Sequence, residues 1–155
     1  MRIADAVAEQ FTRTWHVLRA QIDLFPEEKW RRGIDDYLIP SRLAYHLIEA
    51  AEFFSGETPD GFAWGARFGV DWEGARPDQL PTRTQTLGYL DEVEGRVDEW
   101  LQSMDDSVML SGHPFPWTGD TVLQRAMYLL RHNQHHIAEL NLELRRRGLP
   151  SADWR

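Results

Sequence analysis

Three of the chain's six histidines, His132, His135 and His136, fall within five residues. His132 and His136 are four apart. On a helix that spacing stacks two side chains on one face, with Cβ atoms roughly 5–6 Å apart. Two imidazoles so placed can hold one metal ion between them. A catalytic ion asks for a third protein ligand and an open position, whereas a closed structural site asks for a fourth ligand.

At about 100° per residue, Leu123, Ala126, Leu129, Leu130, Ile137, Leu140 and Leu144 form an apolar stripe roughly 120° wide. His132 and His136 border one edge of that stripe, and His135 points away toward solvent. His46 borders the stripe of an earlier helix, close to Ala50. His46, His132 and His136 can therefore line one seam between helices. The alternative is three satisfied or surface histidines. His16, beside Trp15, and His113, in a proline-rich loop, read as bystanders.

Glu49 follows His46 by three residues, and Glu139 follows His136 by three. Each lies one helical turn from a candidate ligand. Either can orient an imidazole N–H or act as a base on metal-activated water. The plain alternative is a carboxylate on the helix surface, and Glu49 is assigned to that reading. The pattern is not the metalloprotease His-Glu-x-x-His, because Asn133 follows His132. Nor is it the di-iron bundle pattern, which puts Glu three before His; Leu43, Leu129 and Asn133 hold those places.

Four long helices position these groups. In the first, Ala4, Val7, Phe11, Trp15, Leu18 and Ile22 recur at spacings of three and four. It ends at Phe25-Pro26, with one further turn expected over 26–30 and an irregular stretch over 33–39. The second begins near Pro40-Ser41, with Ser41 as a possible cap, and ends at Ser55-Gly56. The third spans 84–104 on Leu87, Leu90, Val93, Val97, Leu101 and Met104, with its acidic run on a solvated face. Two prolines make 112–117 extended. Thr121 with Gln124 is a capping-box pattern that opens the fourth helix, and Gly148 with Pro150 closes it near Arg147. Trp154, in the short tail, is available to pack back. With no strand alternation, the fold class is all-α: a single domain over 1–155, a four-helix bundle with a long loop between helices two and three.

That loop, 56–81, has no period and carries Phe62, Trp64, Phe68 and Trp72. It can hold a short helix and cover a cleft or build a subunit contact. Alternatively, its aromatics only patch the outside of the core.

Composition narrows the function. Net charge is −8, and Arg145, Arg146 and Arg147 form the one basic cluster, suited to a helix C-terminal dipole. Neither a nucleic-acid backbone nor an anionic membrane is an expected partner. Absence of cysteine removes disulfides, thiolate ligands and a cysteine nucleophile, and it fits a reducing, cytoplasmic compartment. The first residues carry Arg2, Asp5 and Glu9 and are not read as a signal peptide. No stretch is long and apolar enough to span a membrane.

Several short motifs coincide with a known family. Tyr45-His46-Leu47, the late His132-Asn133-Gln134-His135-His136, the Leu24 to Trp30 segment and Gly148-Leu149-Pro150 together resemble the DinB/YfiT-like superfamily over nearly the whole chain. The resemblance implies a four-helix bundle, often homodimeric. It implies a divalent metal, nickel or zinc most often, held by His46, His132 and His136. Characterised members of that superfamily include thiol S-transferases using bacillithiol, mycothiol or glutathione, and a mycothiol-dependent maleylpyruvate isomerase. Members often carry Gln three residues after the last ligand; Glu139 stands there instead and adds negative charge near the metal. The expected function is a metal-dependent thiol S-transferase acting on a small thiol and an electrophilic substrate. The alternatives are a metal-dependent hydrolase with Glu139 as its catalytic base, and a non-catalytic bundle stabilised by its metal.

Overall fold

Helices α1 (Ile3–Leu24), α3 (Pro40–Ser55), α4 (Arg83–Gln102) and α6 (Val122–Arg146) form where the apolar periodicity predicts them. The computed structural model describes residues 1–153; Trp154 lies outside them, so its packing is not described. Two single-turn helices, α2 (Glu27–Trp30) and α5 (Asp106–Met109), and a short 3-10 turn at Pro116–Thr118 complete the elements. There is no strand among the described residues.

The helix ends follow from local chemistry. Pro40 is the first residue of α3, where its fixed φ suits the helix and its missing N–H costs nothing. Ser41 is not the cap: it lies inside the helix, and its hydroxyl donates to the Pro81 carbonyl at 2.7 Å. Thr82 and Gln85 form a reciprocal capping box at α4, as Thr121 and Gln124 do at α6. Gly148, with φ of +68°, closes α6. The Leu149 and Gly148 amides return to the Leu144 and Arg145 carbonyls at 2.9 and 3.0 Å, satisfying carbonyls that the helix leaves open.

Both α1 and α3 pack broadly against both α4 and α6, while α1 and α3 barely touch each other. Phe11, Leu18, Leu43, Leu47, Leu90, Val97, Leu129 and Leu140 are buried between them. The two histidine-bearing helices, α3 and α6, are thus neighbours.

Residues 57–81 form turns and no helix, so the short helix expected there is absent. Turn hydrogen bonds within the segment and side chains of α3 meet its backbone. Tyr45 donates to Val70 O at 2.9 Å, and Glu49 accepts from the Gly65 amide at 2.6 Å. Arg42 donates to the carbonyls of Trp72, Glu73 and Ala75. The loop aromatics then lie on the core. Phe68 meets Tyr45 edge-on at 5.1 Å, and Phe62 and Trp64 meet Phe53 at 5.2 and 4.9 Å. Trp72 lies on His46. The segment both patches the core and covers part of the histidine seam.

Gly65 is where this cover is tightest. Its φ is +79°, and a Cβ there would stand 2.8 Å from the Asp71 amide nitrogen. Gly65→Ala is therefore expected to cost more than about 1 kcal/mol. Gly95→Ala, at an exposed position of α4 with open space around it, is expected to stabilise by up to about 1 kcal/mol. Urea denaturation of both variants measures the contrast.

Candidate metal centre

His46 sits mid-way along α3, and His132 and His136 sit one turn apart on α6. Packing of α3 on α6 brings them together. The Nε2 atoms of His46 and His132 are 3.1 Å apart. Ring centroids are separated by 4.9 Å for His46–His132, 4.7 Å for His46–His136 and 4.6 Å for His132–His136. The rings stand steeply to one another, at 73°, 85° and 73°. One ring nitrogen from each lies within 4.8 Å of the other two.

The hydrogen bonds indicate which nitrogens face inward. Nδ1 of His136 is 2.7 Å from Glu139 Oε2. A carboxylate acceptor makes that nitrogen the N–H donor and leaves Nε2 with a free lone pair. The Nδ1 atoms of His46 and His132 are buried without partners. The Nε2 atoms of His46 and His132 face each other across the seam, and the Nε2 lone pair of His136 is free to join them.

Burial decides their charge. Desolvation, then the neighbouring His132 and His136, push His46 down to about 3. Burial first, then His136, push His132 down to about 4. His136 is also lowered by burial, although the bond to Glu139 acts the other way. At neutral pH all three are neutral, the state in which imidazole ligates a metal. Two nitrogens bound at about 2.0–2.1 Å to one ion sit about 3.4 Å apart in tetrahedral geometry and about 2.9 Å apart at right angles. The observed 3.1 Å falls between those values. The donor set therefore fits a divalent ion.

Other candidates fall elsewhere. His135 is exposed, with Nε2 3.5 Å from Glu139 Oε1. His135, His136 and Glu139 form a second close donor set, but there His136 Nδ1 is already bonded to the carboxylate, so the set reads as orientation of His136. His16 is exposed. His113 accepts from the Phe115 amide and contacts the Gly119 carbonyl, both at 3.1 Å, which makes it a loop brace. Glu49 is not the surface carboxylate its position suggests: it is 1% exposed. Its Oε1 accepts from Gly65, its Oε2 has no partner, and burial pushes it up to about 7. The loop over that side of α3 is the reason.

Three further residues bear on the site, and two of them, Trp72 and Tyr37, escape a periodicity argument. Trp72 lies against His46 in a tilted contact, centroids 3.9 Å apart. Burial, then the charge of Glu139, raises the Tyr37 phenol above its ordinary value. Trp72 and Tyr37 also line a groove of about 450 Å³ with Arg42 and Arg76. Asn133, fully buried beside His132, has neither amide atom hydrogen-bonded. Its signal was legible: a polar residue on the apolar stripe of α6, four before Ile137.

A family model described as the DinB superfamily matches residues 10–140. The chain belongs to the DinB superfamily. The matched span contains His46, His132, His136 and Glu139. No curated protein matches the chain. Among the described residues of this superfamily member, no helix is long and apolar enough to cross a membrane.

The buried histidines set a pH response. Each is neutral when folded and takes up a proton when unfolded below its ordinary pKa of about 6.5. The metal-free chain therefore has its full stability above about pH 6.5 and loses it as the pH falls toward about 4. Glu49, raised from 4.5 to about 7, acts oppositely in this window, but it is one group against three. Urea unfolding of chelator-treated protein between about pH 7.5 and 4.5 reads the difference. The midpoint is expected to fall steadily, and a constant midpoint would contradict the assigned charge states.

Proposed function

We propose that this chain is a divalent-metal-dependent enzyme, with the ion, nickel or zinc, on Nε2 of His46, His132 and His136. We further propose that it transfers a low-molecular-weight thiol to an electrophilic substrate. The observation that carries the metal reading is the convergence of three neutral imidazoles. Among the described residues, no fourth histidine, aspartate or glutamate joins that mutual set. Three imidazoles leave a coordination position free, as a catalytic site requires. We also read the packing of the four long helices as a four-helix bundle forming one domain over 1–155.

A divalent ion bound there supplies a Lewis acid that lowers the pKa of a thiol or water taking the open position. The chain's own residues do the rest. Burial keeps the three imidazoles deprotonated, so protons do not compete for their lone pairs. Glu139 fixes the tautomer and orientation of His136. Trp72 covers one side of His46 and limits water. The groove lined by Tyr37, Trp72 and Arg76 offers room for the organic part of a substrate. The thiol reading rests on the family resemblance and on the absence of cysteine, which means a sulfur nucleophile must arrive as cosubstrate. Its sulfur forms the new bond to the electrophile, the electrophile's leaving group departs with the bonding pair (chloride from 1-chloro-2,4-dinitrobenzene), and the thiol proton passes to solvent. The working unit in this reading is a cytoplasmic homodimer.

Hydrolysis, with Glu139 as base, is the second reading. The 2.7 Å bond to His136 favours the orienting role for Glu139 instead. A metal that only stabilises the bundle is the third. Conjugation of an electrophile such as 1-chloro-2,4-dinitrobenzene, with a panel of small thiols and added nickel or zinc, separates them. The thiol reading expects metal-dependent conjugation, with Glu139→Gln weakening metal binding about 10–100-fold. Thiol-independent ester hydrolysis abolished in Glu139→Gln would establish the second reading. No turnover, together with a melting temperature lowered by chelation, would establish the third.

A further inference from the structure

The three imidazoles are not held in the same way. His136 is oriented by its hydrogen bond to Glu139. His46 has no such bond, because its Nδ1 is buried and unpartnered. Its ring lies instead against the Trp72 indole, centroids 3.9 Å apart and planes inclined by 37°. No other ring pair recorded among the described residues is closer.

Trp72 sits in the segment that has neither helix nor strand to hold it. Its place is set by Arg42, one helical turn before His46 on α3. Arg42 is 5% exposed. It donates to the carbonyls of Asp36 at 2.7 Å, Glu73 at 2.8 Å and Ala75 at 2.6 Å, and to that of Trp72 itself. Among the described residues it forms no ion pair. A buried guanidinium needs its rigid fork of donors satisfied; here backbone carbonyls on both sides of α3 do it. The chain from Trp72 to Ala75 is thereby pinned to the helix that carries His46.

We propose that Trp72 is a positioning residue for His46, and Arg42 a positioning residue for Trp72. That ring contact does for His46 what a hydrogen-bonded carboxylate does for His136. This rests on the reading of His46 as a metal ligand. An imidazole fixed before the ion arrives loses less rotational freedom on binding, so the clamp raises affinity without touching the ion. An indole face also accepts contact over a broad area. It therefore restrains ring tilt without requiring an acceptor for the Nδ1 hydrogen.

The test is cobalt(II) binding to the full chain, read as a dissociation constant by chelator competition and as the visible d–d spectrum. Trp72→Ala is expected to weaken binding about 10–100-fold, the range for losing a residue that orients a ligand, and to change the spectrum. Trp72→Phe, which can still make a ring contact, restores most of the affinity and the wild-type spectrum. Arg42→Lys, which loses the fork, shifts both in the direction of Trp72→Ala. Trp64→Ala, on Phe53 and away from the histidines, changes neither. If Trp72→Ala does not fold, Trp72→Leu takes its place, with folding checked by circular dichroism. Wild-type affinity and spectrum in the folded alanine or leucine variant overturn the proposal. Equal cobalt binding by wild type and His132→Ala overturns the ligand reading itself, which the Trp72 variants alone cannot do.

Discussion

A buried peptide group without a hydrogen-bond partner costs about 1–3 kcal/mol, and the segment between α3 and α4 has no regular structure to supply partners. That constraint shapes α3. Ser41, Arg42, Tyr45 and Glu49 are buried polar residues on a helix that would otherwise be apolar on its hidden faces. Each is bonded to a carbonyl or amide of the covering segment. The result is a helix enclosed on nearly all sides. Of its residues only His46 and Glu52 escape full burial. Glu52 is held by Tyr89 and by Arg96, the latter at 2.8 Å. His46 faces α6 and is held by no hydrogen bond from the covering segment. The cover that satisfies the loop thus leaves one imidazole at the edge of its seam.

Electrostatics complete the site from the same cause. The cover and the packing of α3 on α6 remove water from His46, His132 and His136, and loss of water disfavours their charged forms. The one carboxylate bonded to the cluster, Glu139, meets the Nδ1 edge of His136. Neutral nitrogen donors inside and a single carboxylate behind are an arrangement suited to a divalent ion that must also accept an exchangeable ligand.

Much of this was legible in the sequence because helix periodicity is a local property. The stripes of α1, α3, α4 and α6 place those helices to within a residue or two, and Thr121 with Gln124 marks the start of α6. Periodicity also puts His46, His132 and His136 on seam edges. It cannot say that α3 and α6 are neighbours, which depends on how distant segments pack. It also fails where a segment without a period folds over a helix. Glu49 reads as a surface carboxylate until the loop covers it, and Trp72 has no address until Arg42 gives it one. Glu139 lies one turn from His136 by spacing alone, but its 2.7 Å contact with Nδ1 is visible only in the fold.

The central claim is that three imidazoles from two helices share one ion. The most direct measurement is the metal content of untagged protein, by inductively coupled plasma mass spectrometry after gel filtration, beside His132→Ala. The account predicts about one tightly held divalent ion per chain in the wild type, and loss of most of it in the folded variant. Equal metal in both, or a wild-type chain that retains no divalent ion after reconstitution, would contradict it.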